Sequence, residues 1–173
     1  MSLTDEGHYG PKQLNMLKII WGEGYLSPGG SDEIDEILGD IDLTGKKILD
    51  IGCGCGGAAF HMLEKRNAAK VIGFDVEKIV IDRATESAVE KDLSNKASFQ
   101  CVTPGSLQID DESIDVIFSK EAFIHVEDKK ELMKDIHRVL KPNGYLAVGD
   151  WMRNDDNSPC LLYTSDAADE IRS

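Results

Sequence analysis

The sequence predicts an α/β protein in which a parallel sheet carries helices on both faces. Three observations predict it. From Lys46 onward, short apolar runs alternate with segments of helical periodicity. A glycine-rich turn, Gly52-Cys53-Gly54-Cys55-Gly56-Gly57, follows the first apolar run. The chain has 173 residues, 41% of them hydrophobic, which suffices for one domain with its own core and leaves little for a second. Strands separated by helices of this length form right-handed βαβ units, and so a parallel sheet.

The elements follow in chain order. Residues 1–30 hold no strong strand. Leu14, Leu17, Lys18 and Trp21 lie at helical spacing and predict a short amphipathic helix, which ends in the turn-rich stretch Gly22-Glu23-Gly24-Tyr25-Leu26-Ser27-Pro28-Gly29-Gly30. Ser31 reads as the N-cap of the next helix, with Asp32, Glu33 and Asp35 suited to its N-terminus and Ile34, Ile37, Leu38 and Ile41 forming its apolar stripe. Strands are expected at Lys47–Ile51, Val71–Val76, Ser98–Val102, Ile114–Ser119 and Tyr145–Val148. Helices are expected at Ala58–Lys65, Ile79–Leu93 and Lys129–Leu140. Asp128 and Glu131 form a capping-box pattern at the start of the last of these, and Lys141-Pro142-Asn143-Gly144 forms its stop. No internal repeat is present.

Charge and composition exclude some functions. A net charge of −13 repels phosphate backbones and anionic bilayers, which argues against a nucleic-acid or membrane partner and suits a cationic ligand. No apolar run reaches the length of a membrane span, and the N-terminus has no signal-peptide core. Cys53, Cys55, Cys101 and Cys160 match no disulfide framework. Two thiols one residue apart, with no partners nearby, make a poor metal site, so no metal is expected and a reducing cytoplasm is the simplest setting. The tail 153–173 reads differently from the rest. Its Cys160–Glu170 stretch, CLLYTSDAADE, looks like an in-frame translation of a sequencing adapter; the alternative is a natural acidic, frayed terminus.

The chemistry starts at Asp50-Ile51-Gly52-Cys53-Gly54-Cys55-Gly56-Gly57, where a Cβ-free backbone can turn sharply and let a ligand lie against it. Gly52, Gly54 and Gly57 satisfy the dinucleotide fingerprint, with Asp75 at a suitable distance, so the spacing alone leaves an NAD-dependent dehydrogenase open. Asp50 tilts the reading. A carboxylate is awkward beside a pyrophosphate and welcome beside a phosphate-free ligand bearing an ammonium and a sulfonium.

The D-x-G-x-G-x-G arrangement resembles the first motif of class I S-adenosylmethionine-dependent methyltransferases. Ser113–Phe118 resembles their fourth strand, and His137–Leu146 their helix-to-strand-five junction. Together these cover about residues 46–151. The resemblance implies a Rossmann-like domain over 31–152, with S-adenosyl-L-methionine as cofactor against Ser27, Asp50, Gly52, Gly54, Gly56, Asp75, Val76, Thr103 and Ser119. Asp75 would accept the ribose hydroxyls. Thr103 stands in a loop where the family often has an acid for the adenine amine. The family usually adds two strands after the fifth, so the chain reads as a truncated fragment whose bare sheet edge predicts poor solubility or marginal stability.

The segment Tyr9–Gly30 is similar to the lead-in of phosphoethanolamine N-methyltransferases. That resemblance makes residues 1–30 a lid and Tyr9 a catalytic tyrosine, and it matches Glu121 and His125 to a catalytic acid and histidine. The residue types suit the chemistry. An alkylammonium has no lone pair and must lose a proton before it attacks; a Tyr–His pair offers a route for that proton, and Glu121 could orient the cation. The expected partner is a small-molecule methyl acceptor, a small amine such as phosphoethanolamine. A C- or O-methyltransferase acting on a lipid or quinone precursor stays open, as does a non-catalytic cofactor-binding module.

Overall fold

Alternation of apolar side chains along the strands buries both faces of the sheet. In β1 (Lys47–Ile51), Ile48 and Leu49 enter opposite layers of the core. In β4 (Ile114–Lys120), Val116 and Phe118 join Ile48, whereas Ile114 and Ile117 join Leu49. β2 (Lys70–Asp75) divides Val71 from Ile72 and Phe74 in the same way. A strand buried on both sides has to be covered by helices on both sides, which is how parallel sheets occur.

The structure, a computed structural model, describes residues 9–151. The expected tail 153–173, Cys160 and the first eight residues of the lid lie outside the described residues. All strand pairings are parallel, and β3 (Ala97–Cys101) and β5 (Leu140–Gly149) complete the order β3-β2-β1-β4-β5. One face carries α2 (Gly30–Leu38), α3 (Gly57–Glu64) and the end of α4 (Lys78–Glu90); Ile34, Leu38, Phe60, Met62 and Ala88 share that layer. The other face carries α5 (Lys129–Val139) through Ile136 and Val139, with Phe123 beside them. The fold class expected from the sequence is therefore the fold found, with five strands among the described residues. The chain changes direction across the sheet at β1 and β4, and the glycine loop leaves β1 at this switch point, where open α/β sheets bind ligands.

Three boundaries differ from expectation. α2 is capped by Gly29, not Ser31. Gly29 takes φ 89°, its carbonyl accepts from Glu33 N at 3.2 Å, and Ser31 lies inside the first turn. The Lys141–Gly144 stretch does not interrupt the chain between α5 and β5. Leu140 already pairs with Ile114, and a register shift with Asn143 at φ 63° absorbs the kink inside one strand. The capping pattern at α5 forms by half: Asp128 accepts from Glu131 N at 2.9 Å, but the Glu131 carboxylate turns to Lys134 at 2.7 Å.

The segments that resembled a known fourth strand and junction have local reasons for their sequence. Asp115 accepts from Lys47 N and from the Lys141 amine, both at 2.8 Å, so one carboxylate ties β4 to β1 and β5. Arg138 donates to the carbonyls of Leu107 and Ile109 and pairs with Asp135, which fastens the 107–111 loop to α5. Among the described residues β5 lies at the end of the sheet, with Tyr145, Leu146 and Val148 exposed.

Candidate active site

The glycine loop is pinned by backbone bonds before any ligand is considered. Gly52 N and Cys53 N both donate to the Phe74 carbonyl, at 2.8 and 3.0 Å, and Gly54 N donates to Asp75 Oδ2 at 2.8 Å. Asp75 Oδ1 accepts from Glu77 N at 3.0 Å. Each Asp75 oxygen keeps a further lone pair, so the side chain that fixes the loop can still accept a pair of hydroxyls. Gly56, at φ 84°, caps α3 in the left-handed conformation. A side chain at Gly52 would put its Cβ 2.2 Å from that of Ala122, so glycine is what lets the loop and the turn after β4 approach each other.

Asp50 is the unusual group. It is 1% exposed, and Oδ2 has no hydrogen-bond partner among the described residues. Burial, reinforced by the charge of Asp75, pushes its carboxyl up to about 8. A buried acid without a partner is costly to keep and is suited to a cation arriving at the loop. The residues fit S-adenosylmethionine on this ground: an orphaned acid below the turn and a second acid with free lone pairs beside it.

The N-terminal segment packs directly on the loop. Gly57 N donates to the Gly24 carbonyl at 3.1 Å, and a Cβ on Gly24 would lie 2.8 Å from Gly57 Cα. Leu26 covers Gly54 closely enough that a Cβ there would meet its Cδ1 at 2.8 Å. Tyr9 lies at the start of this segment, partly buried just before α1 (Pro11–Trp21). Its phenol is raised above the ordinary tyrosine value by burial first, then by the charges of Asp75, Cys55, Glu77 and Glu121. Tyr9 thus sits in a setting that keeps its proton on.

Ser27 is held from the opposite side. Lys120, at the end of β4, donates to Ser27 Oγ at 2.6 Å and to the Pro28 carbonyl at 2.9 Å, and it pairs with Glu33 at 2.9 Å and Glu121 at 3.4 Å. Glu121, at φ 54°, is therefore in contact with a lysine. His125 ends a 3₁₀ turn (Phe123–His125), exposed, and among the described residues no hydrogen bond joins its ring to Tyr9 or Glu121. The expected Tyr–His contact is not formed here.

The remaining expected residues divide. Val76 and Thr103 are exposed just beyond β2 and β3. Ser119 is fully buried, and its hydroxyl donates to the Ile51 carbonyl at 2.8 Å. Its side chain clips β4 to β1, and Lys120 is the neighbour that reaches the site. Cys53 and Cys55 are buried, with thiols pushed upward by burial, and no metal-binding cluster occurs among the described residues. A cavity of about 310 Å³ lies beneath α1, between Lys18, Tyr25, Cys55 and Arg83, and none of Asp50, Asp75, Glu121 or His125 lines it. Sequence reasoning missed Gly24, Leu26 and Lys120. A lone lysine at a strand end in so acidic a chain was the available signal for the last.

Comparison with known proteins agrees with this geometry. Residues 42–169 match the family described as a methyltransferase domain. Phosphoethanolamine N-methyltransferase 1 of Arabidopsis thaliana is 34% identical over 87% of this chain and 30% of its own length. The phosphoethanolamine N-methyltransferase of Plasmodium falciparum is 32% identical over 86% of this chain and 53% of its own length. The chain thus spans between about a third and a half of these relatives. A sterol 24-C-methyltransferase of Aspergillus fumigatus is 38% identical over a shorter stretch, 64% of the chain and 29% of that protein. Among solved structures, phosphoethanolamine N-methyltransferase 2 of Haemonchus contortus in complex with S-adenosyl-L-methionine superposes with a TM-score of 0.75 at 27% identity, over 83% of this chain and 34% of that one. The chain belongs to the methyltransferase domain family, in its class I S-adenosylmethionine-dependent branch.

Proposed function

We propose that this chain is the cofactor-binding and proton-handling part of an enzyme that methylates a small amine of the phosphoethanolamine type. One observation carries the reading: the glycine loop is framed by two acids, Asp50, which is buried with Oδ2 unpartnered among the described residues, and Asp75, which accepts from Gly54 N at 2.8 Å. A mouth of this charge attracts an ammonium and disfavours an anionic reacting group. The likeness to phosphoethanolamine N-methyltransferases, at 32% and 34% identity, supports the same acceptor class.

The cofactor supplies a methyl group on a sulfonium, displaced in line by the amine nitrogen. The chain's own residues supply the rest. Asp50 and the glycine loop hold the cationic end of the cofactor, Asp75 holds its ribose, and residues 9–30 cover the loop and exclude water. The acceptor nitrogen must lose a proton to expose its lone pair. Tyr9, protonated by its surroundings, accepts a hydrogen bond from the ammonium through its oxygen; the arriving cation offsets the nearby carboxylates and makes the phenol easier to ionise. Tyr9 gives its own proton to solvent and takes the ammonium proton in its place, which frees the amine lone pair; His125, exposed and not hydrogen-bonded to Tyr9, joins this route only where acceptor binding brings the two rings together. Among the described residues the cation nearest Glu121 is Lys120, and Ser27, Glu33 and Glu121 already engage it.

Isothermal titration with S-adenosylmethionine and S-adenosylhomocysteine, followed by transfer of a labelled methyl group to a panel of amines, phenols and sterols, tests the reading. Binding of both cofactor forms and labelling of phosphoethanolamine above the rest is expected. Labelling of the sterol or phenol instead, which the 38% identity to a sterol methyltransferase makes the natural rival, overturns the acceptor. Preferential binding of NAD overturns the cofactor site as well.

A further inference from the structure

The turn that carries Glu121 and His125 has few means of holding its own shape. It begins at a non-glycine residue with positive φ, Glu121 at 54°, and continues as one 3₁₀ turn of three residues. Its internal bonds are His125 N to the Ala122 carbonyl and Val126 N to the Phe123 carbonyl, each 3.1 Å. What fixes it comes from elsewhere. Phe123 plugs the turn into the core at 6% exposure. Glu121 N donates to the Gly149 carbonyl at 2.7 Å, and Ile124 N donates to Asp150 Oδ2 at 2.8 Å. The other Asp150 oxygen accepts from Trp151 N at 2.8 Å, so the carboxylate is itself held at both ends. Two backbone amides flanking the reactive stretch are thus gripped by consecutive residues at the end of β5. The Asp150 bond is the stronger kind, from an amide to an ion.

We infer that Asp150 is a positioning residue: its carboxylate, by accepting from Ile124 N, sets the turn that presents Glu121 and His125 to the methyl acceptor. This rests on the reading of those two residues in the proposed function. The contacts of Asp150 among the described residues are to backbone amides, Ile124 N and Trp151 N. It acts through the peptide between Phe123 and Ile124, one residue before His125, so losing it should spoil proton handling and leave cofactor binding on β1 and β2 intact.

The test uses the 173-residue chain with Asp150→Ala and Asp150→Asn, the latter keeping an oxygen that can accept from Ile124 N. Amide hydrogen exchange is followed at Ile124 and His125, and affinity for S-adenosylmethionine is measured beside it. Asp150→Ala is expected to speed exchange at these amides by roughly tenfold or more, with cofactor Kd changed by less than about twofold. Asp150→Asn is expected to return exchange to within about threefold of the parent. In methyl transfer the same pattern should appear in kcat, with KM for the cofactor unmoved. Unchanged exchange in Asp150→Ala, or a loss of cofactor affinity as large as the gain in exchange, overturns the positioning role. Failure of the functional reading shows separately: His125→Ala would then leave phosphoethanolamine methylation unchanged, while the exchange result at Ile124 stands as before.

Discussion

The two halves of the site are built differently. The cofactor half is made of β1, β2 and the loop between β1 and α3. Its groups are buried or partly buried, and its shape is set by backbone bonds to Phe74 and by the Asp75 carboxylate. The acceptor half proposed above, Tyr9, Glu121 and His125, is carried by a segment whose helix α1 has no buried residue and by a single 3₁₀ turn. The first half is stored in the core and carries an electrostatic strain, the orphaned Asp50. The second is fastened on by lysine, arginine and glycine contacts. Stability and function are therefore opposed at Asp50 and nearly independent at Tyr9.

The largest expected effect follows from that opposition. Asp50→Asn removes the charge that meets the cofactor, and affinity for S-adenosylmethionine should fall by roughly a hundredfold. The fold should not suffer. The native state keeps a proton on Asp50 that the unfolded chain has already lost, from the ordinary value of 3.8 up to about 8. Native protein therefore binds more protons in this window, so the Asp50 contribution weakens as pH rises through it and levels off above about pH 8. Asp50→Asn should match the parent in denaturant melts below about pH 3.8, exceed it by a margin that grows as pH rises to about 8, and keep that margin above. A melt in which the variant is the weaker protein at every pH would remove the idea of stored strain.

The next effect in size is the parent's own pH dependence. A cation at the loop favours ionised Asp50, so cofactor binding below about pH 8 must release a proton. Affinity should rise by up to about tenfold per pH unit as pH climbs toward that value, then flatten. Titration in two buffers of different ionisation enthalpy reads the released proton directly. Equal heats in both would mean that Asp50 is already charged in the free protein.

How much of this was legible in the sequence tracks the same division. Ile48, Leu49, Ile72 and Phe74 announced strands as members of short apolar runs, and Asp50 and the glycines announced the loop, because those signals lie within a few residues of one another. The start of α2 was misplaced at Ser31 because a glycine at φ 89° makes the turn without any side-chain cap. The start of β5 was placed late because its first pairing, Leu140 with Ile114, is a property of the ladder. Lys120 was missed because its partner Ser27 lies 93 residues away, and no local pattern records such a contact. Ser119 was chosen in its place from the resemblance, yet its hydroxyl belongs to Ile51. The exposed ring of His125 was equally illegible, since the turn's path is set by Gly149 and Asp150.

Gly24→Val tests whether the halves separate. Its Cβ would press on Gly57 Cα, and Gly24 sits at φ 85°, so the N-terminal segment should lift from the loop. Because α1 buries no residue, the melting temperature should move by less than about 4 °C. Methyl transfer should nevertheless fall by roughly tenfold or more, as Tyr9 loses its place over Asp75 and Glu121. A large drop in melting temperature with turnover preserved would show that residues 9–30 serve the core and not the acceptor.

The smallest effect belongs to the charges at the outer rim of the same segment. Arg83 of α4 reaches Glu23 at 3.1 Å, and Glu23 also pairs with Lys18 at 2.7 Å, joining α4, the turn and α1 in one chain of ions. These groups are a third to a half exposed, so water and salt screen them strongly. Arg83→Ala should speed chymotryptic cleavage near Trp21 and Tyr25 by less than about fivefold, leave cofactor affinity untouched, and lose even that effect at high salt. Backbone packing at Gly24 and Gly57 holds the segment down, and the ions only trim its motion. If Arg83→Ala released the segment as fully as Gly24→Val, the order would reverse, and the acceptor half would be tied to the cofactor half by electrostatics first and contact second.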